Sequence, residues 1–491
     1  MPRSTTTSFY KQGIAVAVLG LTACVAPPGP DPREDLEGLP PVRAETVLAS
    51  EDAGQWPAAE WWTGFGDRQL DALIDEGLKN SPDIAIAGAR LRMAAGMALQ
   101  EGAARLPQVD TQATAYEDRR SLNVGFSDEI RQFLPTGWRS GADLSARLSQ
   151  DIDIWGRNRA AHAAATSEAR AAAVDLLEAR LMLATGIASA YADLGQLFAE
   201  RDVRRSALSV RQSSRDIVAQ RSENGLETRG NLRQADAQVA AASADLIAAE
   251  QRIALRRNQI SALLGAGPDR GLEIDPPAIA PIPLSALPQG ITTDLIGRRP
   301  DVVSARERVE AAARRVDAAR ADYFPAIRLD ALIGLQTLGV DRLFEKDSTY
   351  GRVGPAVSLP IFHGGALRGK YKSARATYDE ALAVYESTVV NAYREVADVV
   401  TGRKAAGERL AHVRDALAAS EEAYSIARMR YNGGLSAYLD VLAVEDRMLN
   451  ARLAVASLES EALGLDIALI RALGGGFGEN DDDSAREELN D

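Results

Sequence analysis

The chain has 491 residues, with 56 Lys and Arg against 69 Asp and Glu, for a net charge of −13. That surplus of acid argues against a nucleic-acid partner. A single cysteine leaves no intramolecular disulfide and no cysteine-based zinc site.

The chain opens on Arg3 and Lys11, followed by the apolar run "IAVAVLGLTA" at 14–23. About ten residues are too few to span a bilayer, which takes about 20. The layout is that of a secretory signal peptide over 1–23. Its end, Leu21-Thr22-Ala23-Cys24, resembles a bacterial lipobox, so Cys24 is the expected lipid attachment point. Val25 follows it, whereas in lipoproteins generally an Asp there favours inner-membrane retention. Residues 24–80 are read as a lipidated, extended N-terminal segment that makes equatorial contacts.

Beyond it the prolines map the chain. None falls between Pro135 and Pro268, and none follows Pro360. Proline disrupts a helix interior by about 3 kcal/mol, and the proline-free stretches are rich in Ala, Leu, Glu, Arg and Gln. Leu367, Tyr371, Ala374, Tyr378, Ala381 and Tyr385 step as a coiled-coil seam, as do Val174, Leu177, Leu181, Ala184, Ala188 and Tyr191.

The plan is written twice. Pro82-Asp83, Arg90 and Leu106-Pro107 recur as Pro300-Asp301, Arg308 and Phe324-Pro325, 218 positions on. Arg221, Gly225-Leu226 and Leu264-Gly265 recur as Arg430, Gly434-Leu435 and Leu473-Gly474, 209 positions on. We read a tandem repeat. Repeat 1 covers 81–267: a short helix, a β-hairpin at about 107–155, a long helix at about 156–223, a tip at 224–226 and a return helix to 265. An equatorial linker takes 268–299, with its Pro-rich stretch forming a belt. Repeat 2 covers 300–475: a short helix, a hairpin at about 325–362, a long helix at about 364–431, a tip at 432–435 and a return helix to 474. Residues 476–491 read as a disordered acidic tail. The tips carry Asn224-Gly225-Leu226 and Gly433-Gly434-Leu435, where Asn and Gly suit the left-handed turn that stops a helix.

The hairpin segments alternate with period two. Val109, Thr111, Ala113 and Ala115 face away from Gln108, Asp110, Gln112 and Thr114, and Leu144, Ala146 and Leu148 away from Asp143, Ser145 and Arg147. Such strands suit a membrane barrel or an ordinary amphipathic hairpin. In lipid the sheet must close. Two chains would give eight strands and a filled interior; three would give twelve and an aqueous lumen.

The run "WWTGFGDRQLDALIDEGLKNSPDI", with Trp61, Trp62, Phe65, Asp67, Leu70 and Asn80, resembles the TolC/OprM family, specifically NodT-type outer-membrane efflux lipoproteins. "DIDIWGR" (151–157), "SLPIFHGG" (358–365) and "YNGGLSAYLDVL" are similar to that family's strand–helix junctions and helix tip. The resemblance implies a mainly α fold with β: helical coiled-coil hairpins in tandem, and a homotrimer with a 12-stranded transmembrane β-barrel on a 12-helix periplasmic α-barrel. It implies docking of a periplasmic membrane-fusion adaptor at the tips and an inner-membrane RND-type pump beyond. Asp440 maps onto the carboxylate of the periplasmic gate and Tyr431 onto a gate latch, while Asn231 replaces the carboxylate in repeat 1. Ser436 stands where some relatives carry a basic residue, and it is expected to cap the next helix.

The expected function is therefore passive conduction in tripartite efflux across the bacterial outer membrane, and loops 118–140 and 336–350 lie outside the cell. A type I secretion duct shares the tube, and a trimeric coiled-coil spacer shares the helices. Three histidines, His162, His363 and His412, stand in unrelated contexts, and no phosphate-loop or nucleophile-elbow motif occurs. No enzymatic activity and no cofactor beyond the Cys24 lipid are expected.

Overall fold

A computed structural model describes residues 42–478, apart from 45, 49–53, 120, 122–124, 126, 134–135, 281–286 and 289–290. Cys24, the signal peptide and the tail beyond 478 lie outside the described residues. In chain order the main elements are α1 (Arg68–Asn80), α2 (Pro82–Ala103), β1 (Gln108–Asp118), β2 (Arg139–Ile152), α3 (Arg157–Glu223) and α4 (Arg229–Leu263). Then come α5 (Ile291–Arg298), α6 (Pro300–Ala321), β3 (Ala326–Leu338), β4 (Thr349–Ser358), α7 (Ala366–Asn432) and α8 (Tyr438–Ala472). The fold is mainly α with one small sheet, and the second half repeats the first. The two long helices, α3 and α7, have 67 residues each, about 100 Å at 1.5 Å per residue.

Several boundaries differ from expectation. The short helices end at Ala103 and Ala321, short of the Leu106-Pro107 and Phe324-Pro325 stops. A residue before proline is pushed out of the α region, so the last turn tightens. Leu106 N–H donates to Ala103 O, and Phe324 N–H to Ala321 O, in the same way in both repeats. Within the equatorial linker, Pro268–Glu273 is a 3-10 turn and α5 occupies the far end. The outer loops are also shorter than expected, because β3 runs to Leu338 and β4 begins at Thr349.

The chain divides into two compact units. One contains residues 92–169 and 307–383 and holds the sheet, an antiparallel meander in the order β1-β2-β3-β4. Its central seam, β2 with β3, joins the two repeats. The register aligns the alternation across all four strands. Val109 pairs with Leu148, Leu148 with Ala331, and Ala331 with Val353. One residue along, Asp110 pairs with Arg147 and Arg147 with Leu332. One face therefore carries Val109, Leu144, Leu148, Leu329, Ile333, Val353 and Val357; the other carries Gln112, Asp143, Ser145, Arg147, Asp330 and Gln336. On the polar face a tyrosine lies over a glycine twice. A Cβ on Gly141 would sit 2.6 Å from the Tyr116 ring, and one on Gly334 would sit 2.7 Å from Tyr350.

The other unit contains the described residues of 40–91, 170–306 and 384–491. Its core packs Trp61, Phe65, Leu70, Leu73 and Ile74 against Ile187, Tyr191, Leu194, Ile260, Leu264 and Ile274. The tryptophan motif is thus core, and full burial of each large side chain contributes about 1.5–3 kcal/mol. Asp67 is its polar knot. Its carboxylate caps α1 through Gln69 N–H at 2.9 Å and accepts from Tyr191 Oη at 2.9 Å and Ala278 N–H at 2.8 Å.

Candidate functional site: the two helix tips

The turn after α3 and the turn after α7 close in the same way. Leu226 N–H donates to Arg221 O at 2.8 Å, and Leu435 N–H to Arg430 O at 2.8 Å. These are the long-reach bonds of the Schellman motif, which needs one left-handed residue. Gly225 (φ 72°) and Gly434 (φ 76°) supply it. Asn224 and Gly433 do not: no non-glycine residue has positive φ among the described residues, and Gly433 is not among the positive-φ glycines. Instead the Asn224 side chain donates back to Gln220 O at 2.8 Å. Leu226 and Leu435 protrude, 69% and 72% exposed.

The return helices are capped differently. Thr228 Oγ1 accepts from Asn231 N–H at 3.1 Å, a side-chain N-cap for α4. Ser436 does not cap α8, contrary to expectation. Ala437 holds the cap position, and the buried Ser436 Oγ has no hydrogen-bond partner. The Asp440 carboxylate takes over by accepting from Ala437 N–H at 3.0 Å. Asp440 is exposed, and its negative charge lies in the first turn of α8, where the helix dipole favours it.

Tyr431 is drawn into a network that couples the two tips. Its Oη donates to Glu227 Oε2 at 3.4 Å, and Asn231 Nδ2 donates to Glu227 Oε1 at 2.7 Å. Arg221 lies 5.0 Å over the Tyr431 ring and donates to Tyr431 O at 3.3 Å. Beneath them Val218, Ala235, Tyr438, Val441 and Leu442 complete a buried cluster with Tyr431. Burial pushes the Glu227 carboxyl up, but the hydrogen bonds from Asn231 and Thr228 and the Arg221 charge outweigh it and hold it below its ordinary value. Tyr431 is raised, first by burial and then by the Glu227 charge. Burial and then Glu445 push Tyr438 up to about 12.

The structure therefore gathers Tyr431 with Arg221 and Glu227 and leaves Asp440 outside that network. Sequence reasoning passed over Glu227. The available signal was an acid immediately after the tip leucine in repeat 1, matched by Ser436 in repeat 2. Among the described residues no cluster of His, Cys, Asp and Glu could hold a metal, and no helix is long and apolar enough to cross a membrane.

A sheet with one oily and one wet face, together with paired glycine-tipped helical hairpins, defines the class of outer-membrane efflux components. The family model described as outer membrane efflux protein matches residues 73–266 and 292–475, one segment per repeat, and the chain belongs to that family. The toluene efflux pump outer membrane protein TtgF of Pseudomonas putida is 30% identical over 417 residues, covering 85% of each chain. The multidrug resistance outer membrane protein MdtP of Escherichia coli is 28% identical over 454 residues, 91% of this chain and 93% of that one. The solved outer membrane protein VceC of Vibrio cholerae is 42% identical, with a TM-score of 0.80 over 86% of this chain and all of the other. The protein acts in efflux and resides in the outer membrane.

Proposed function

We propose that three copies of this chain form the exit duct of a tripartite pump, conducting cargo passively. The observation that carries the reading is the sheet: one face is mainly apolar and the other mainly polar, and the outer edges of β1 and β4 have no strand partner among the described residues. Unpaired backbone is intolerable in hydrocarbon, and β4 of one copy can pair antiparallel with β1 of the next. Three copies make twelve strands, enough for a wet lumen lined by the polar face. A lipid on Cys24 anchors the N-terminus, and two or more acyl chains give stable attachment.

The exposed Leu226 and Leu435 tips receive a periplasmic membrane-fusion adaptor that links the duct to an inner-membrane RND-type pump. Three Asp440 carboxylates ring the periplasmic mouth and favour cations by electrostatics, while Tyr431, held by Glu227 and Arg221, latches it. No chemistry is performed and no cofactor is needed. Planar-bilayer recording of the purified protein tests this: cation-selective conductance is expected, and its absence would remove the duct. Drug accumulation in a deletion strain, complemented with this chain and candidate pumps, then identifies the partner.

A further inference from the structure

A buried carboxylate links the two repeats near the tips. Glu445, on the third turn of α8, is fully buried, and its Oε1 accepts from Arg211 Nε of α3 at 3.3 Å. Arg211 Nη2 also holds Asp446 Oδ1 at 2.6 Å, and the Arg211 side chain is only 12% exposed. Glu445 Oε2 has no hydrogen-bond partner. Apolar clusters lie on either side: Tyr431, Tyr438, Val441 and Leu442 toward the tip, and Ala207, Met448 and Leu449 away from it.

The repeat sharpens the contrast. The counterpart of Glu445, 209 positions earlier, is Asp236. Asp236 pairs with Arg215 at 3.0 Å and Arg233 at 3.1 Å, all on the two helices of its own hairpin and partly in solvent. Only in repeat 2 does the acid reach across to the other repeat, and only there is it sealed from water.

We infer that Glu445 and Arg211 are positioning residues of the gate, a cross-repeat strut that holds the tip in the conformation described here while keeping it poised to open. The inference rests on the duct reading above. A half-paired carboxylate in an apolar seam opposes the packed state, whereas Arg211 offsets much of that cost; removing Arg211 leaves that buried charge uncompensated, while removing the Glu445 charge leaves Arg211 its bond to Asp446. Swinging the α7–α8 hairpin away from α3 returns Glu445 to water.

The groups coupled to Glu445 are Arg211 from α3, Tyr424 from α7, and Tyr438 and Asp446 from α8, while Arg428 and Arg452 act on Tyr424. Burial pushes the Glu445 carboxyl up from its ordinary 4.5, against the lowering by Arg211. The direction of the pH effect follows. The packed conformation holds the Glu445 proton more tightly than an opened one with Glu445 in water. Acid therefore favours the packed strut, and rising pH favours opening, across the window from 4.5 upward.

The test places nitroxide labels at Ser209→Cys and Ala443→Cys, both exposed positions on α3 and α8. Labelled subunits are diluted with unlabelled full-length protein, and label separations are read at pH 5 and pH 8. Wild type should shift to longer separations at pH 8. Glu445→Gln should stay short at both. Arg211→Met should be long at pH 8, return to short at pH 5, and be short at both when combined with Glu445→Gln. A pH shift that persists in Glu445→Gln, or an Arg211→Met variant indifferent to acid, overturns the inference. Bilayer conductance of wild type is scored separately. Its absence removes the duct reading, whereas conductance with pH-independent separations removes only the strut.

Discussion

The two-faced sheet makes a strong demand on one substitution and none on its neighbour. Ile333 sits midway along β3 on the apolar face, opposite Ala146 on one side and Gly351 on the other, 66% exposed in the single chain. If that face meets lipid, Ile333→Arg places a guanidinium near the bilayer midplane, where it costs about 2–4 kcal/mol. Gln336, three residues along the same strand, faces the polar side opposite Asp143, so Gln336→Arg should cost under about 0.5 kcal/mol. Each substitution occurs once per subunit, so a trimer multiplies the difference. The assay is guanidinium unfolding in phospholipid vesicles, followed by tryptophan fluorescence and by loss of the trimer band on gels. At about 1.4 kcal/mol per factor of ten, the Ile333 variant should lose at least one to two powers of ten in folding equilibrium while the Gln336 variant matches wild type. Equal losses, or a greater loss at Gln336, would refute the assignment of faces.

Three further outcomes follow from the site and the core. Asp440→Ala should raise bilayer conductance and weaken cation selectivity, and should also cost α8 about 1 kcal/mol of capping. Asp440→Asn keeps an oxygen acceptor for Ala437 N–H, so a selectivity loss shared by both variants isolates the charge; unchanged currents would take Asp440 out of the gate. Gly434→Pro, or Leu226→Trp with Leu435→Trp, should abolish efflux in a drug-susceptibility assay while trimers still form, and full resistance in these variants would contradict adaptor docking at the tips. Asp67→Ala breaks the α1 cap and the bonds from Tyr191 and Ala278 together, so thermal unfolding should report a loss of about 2–4 kcal/mol.

Much of the architecture was legible because it is written in backbone-limiting residues. Proline-free stretches gave α3 and α7, Gly225 and Gly434 marked their ends, and period-two alternation separated Val109 from Gln108 and Leu148 from Arg147 within their strands, while the register that puts Val109 opposite Leu148 came from the structure. The details that depend on which side chains meet in space were not legible. Asn224 and Gly225 can each take the left-handed conformation, Gly the more readily, and the φ of 72° at Gly225 shows which one does. Ser436 is a favoured capping type standing just before the helix, yet the turn places Ala437 at the cap and brings the Asp440 carboxylate back to it. Arg211 and Glu445 are 234 positions apart, and no local pattern connects them. Nor does any local pattern show that Gly141 and Gly334 each lie beneath a tyrosine.

The central β2–β3 seam has a consequence for synthesis. Its twelve registered pairs join residues 141–152 to residues 327–338, so the 174 residues of 153–326 must leave the ribosome between one strand and its mate. The early hairpin must wait, exposed, for its late companion, which makes nucleation slow and the half-made chain prone to adhere to strangers. A periplasmic escort that shields β2 until β3 arrives would protect biogenesis more than any gain in final stability.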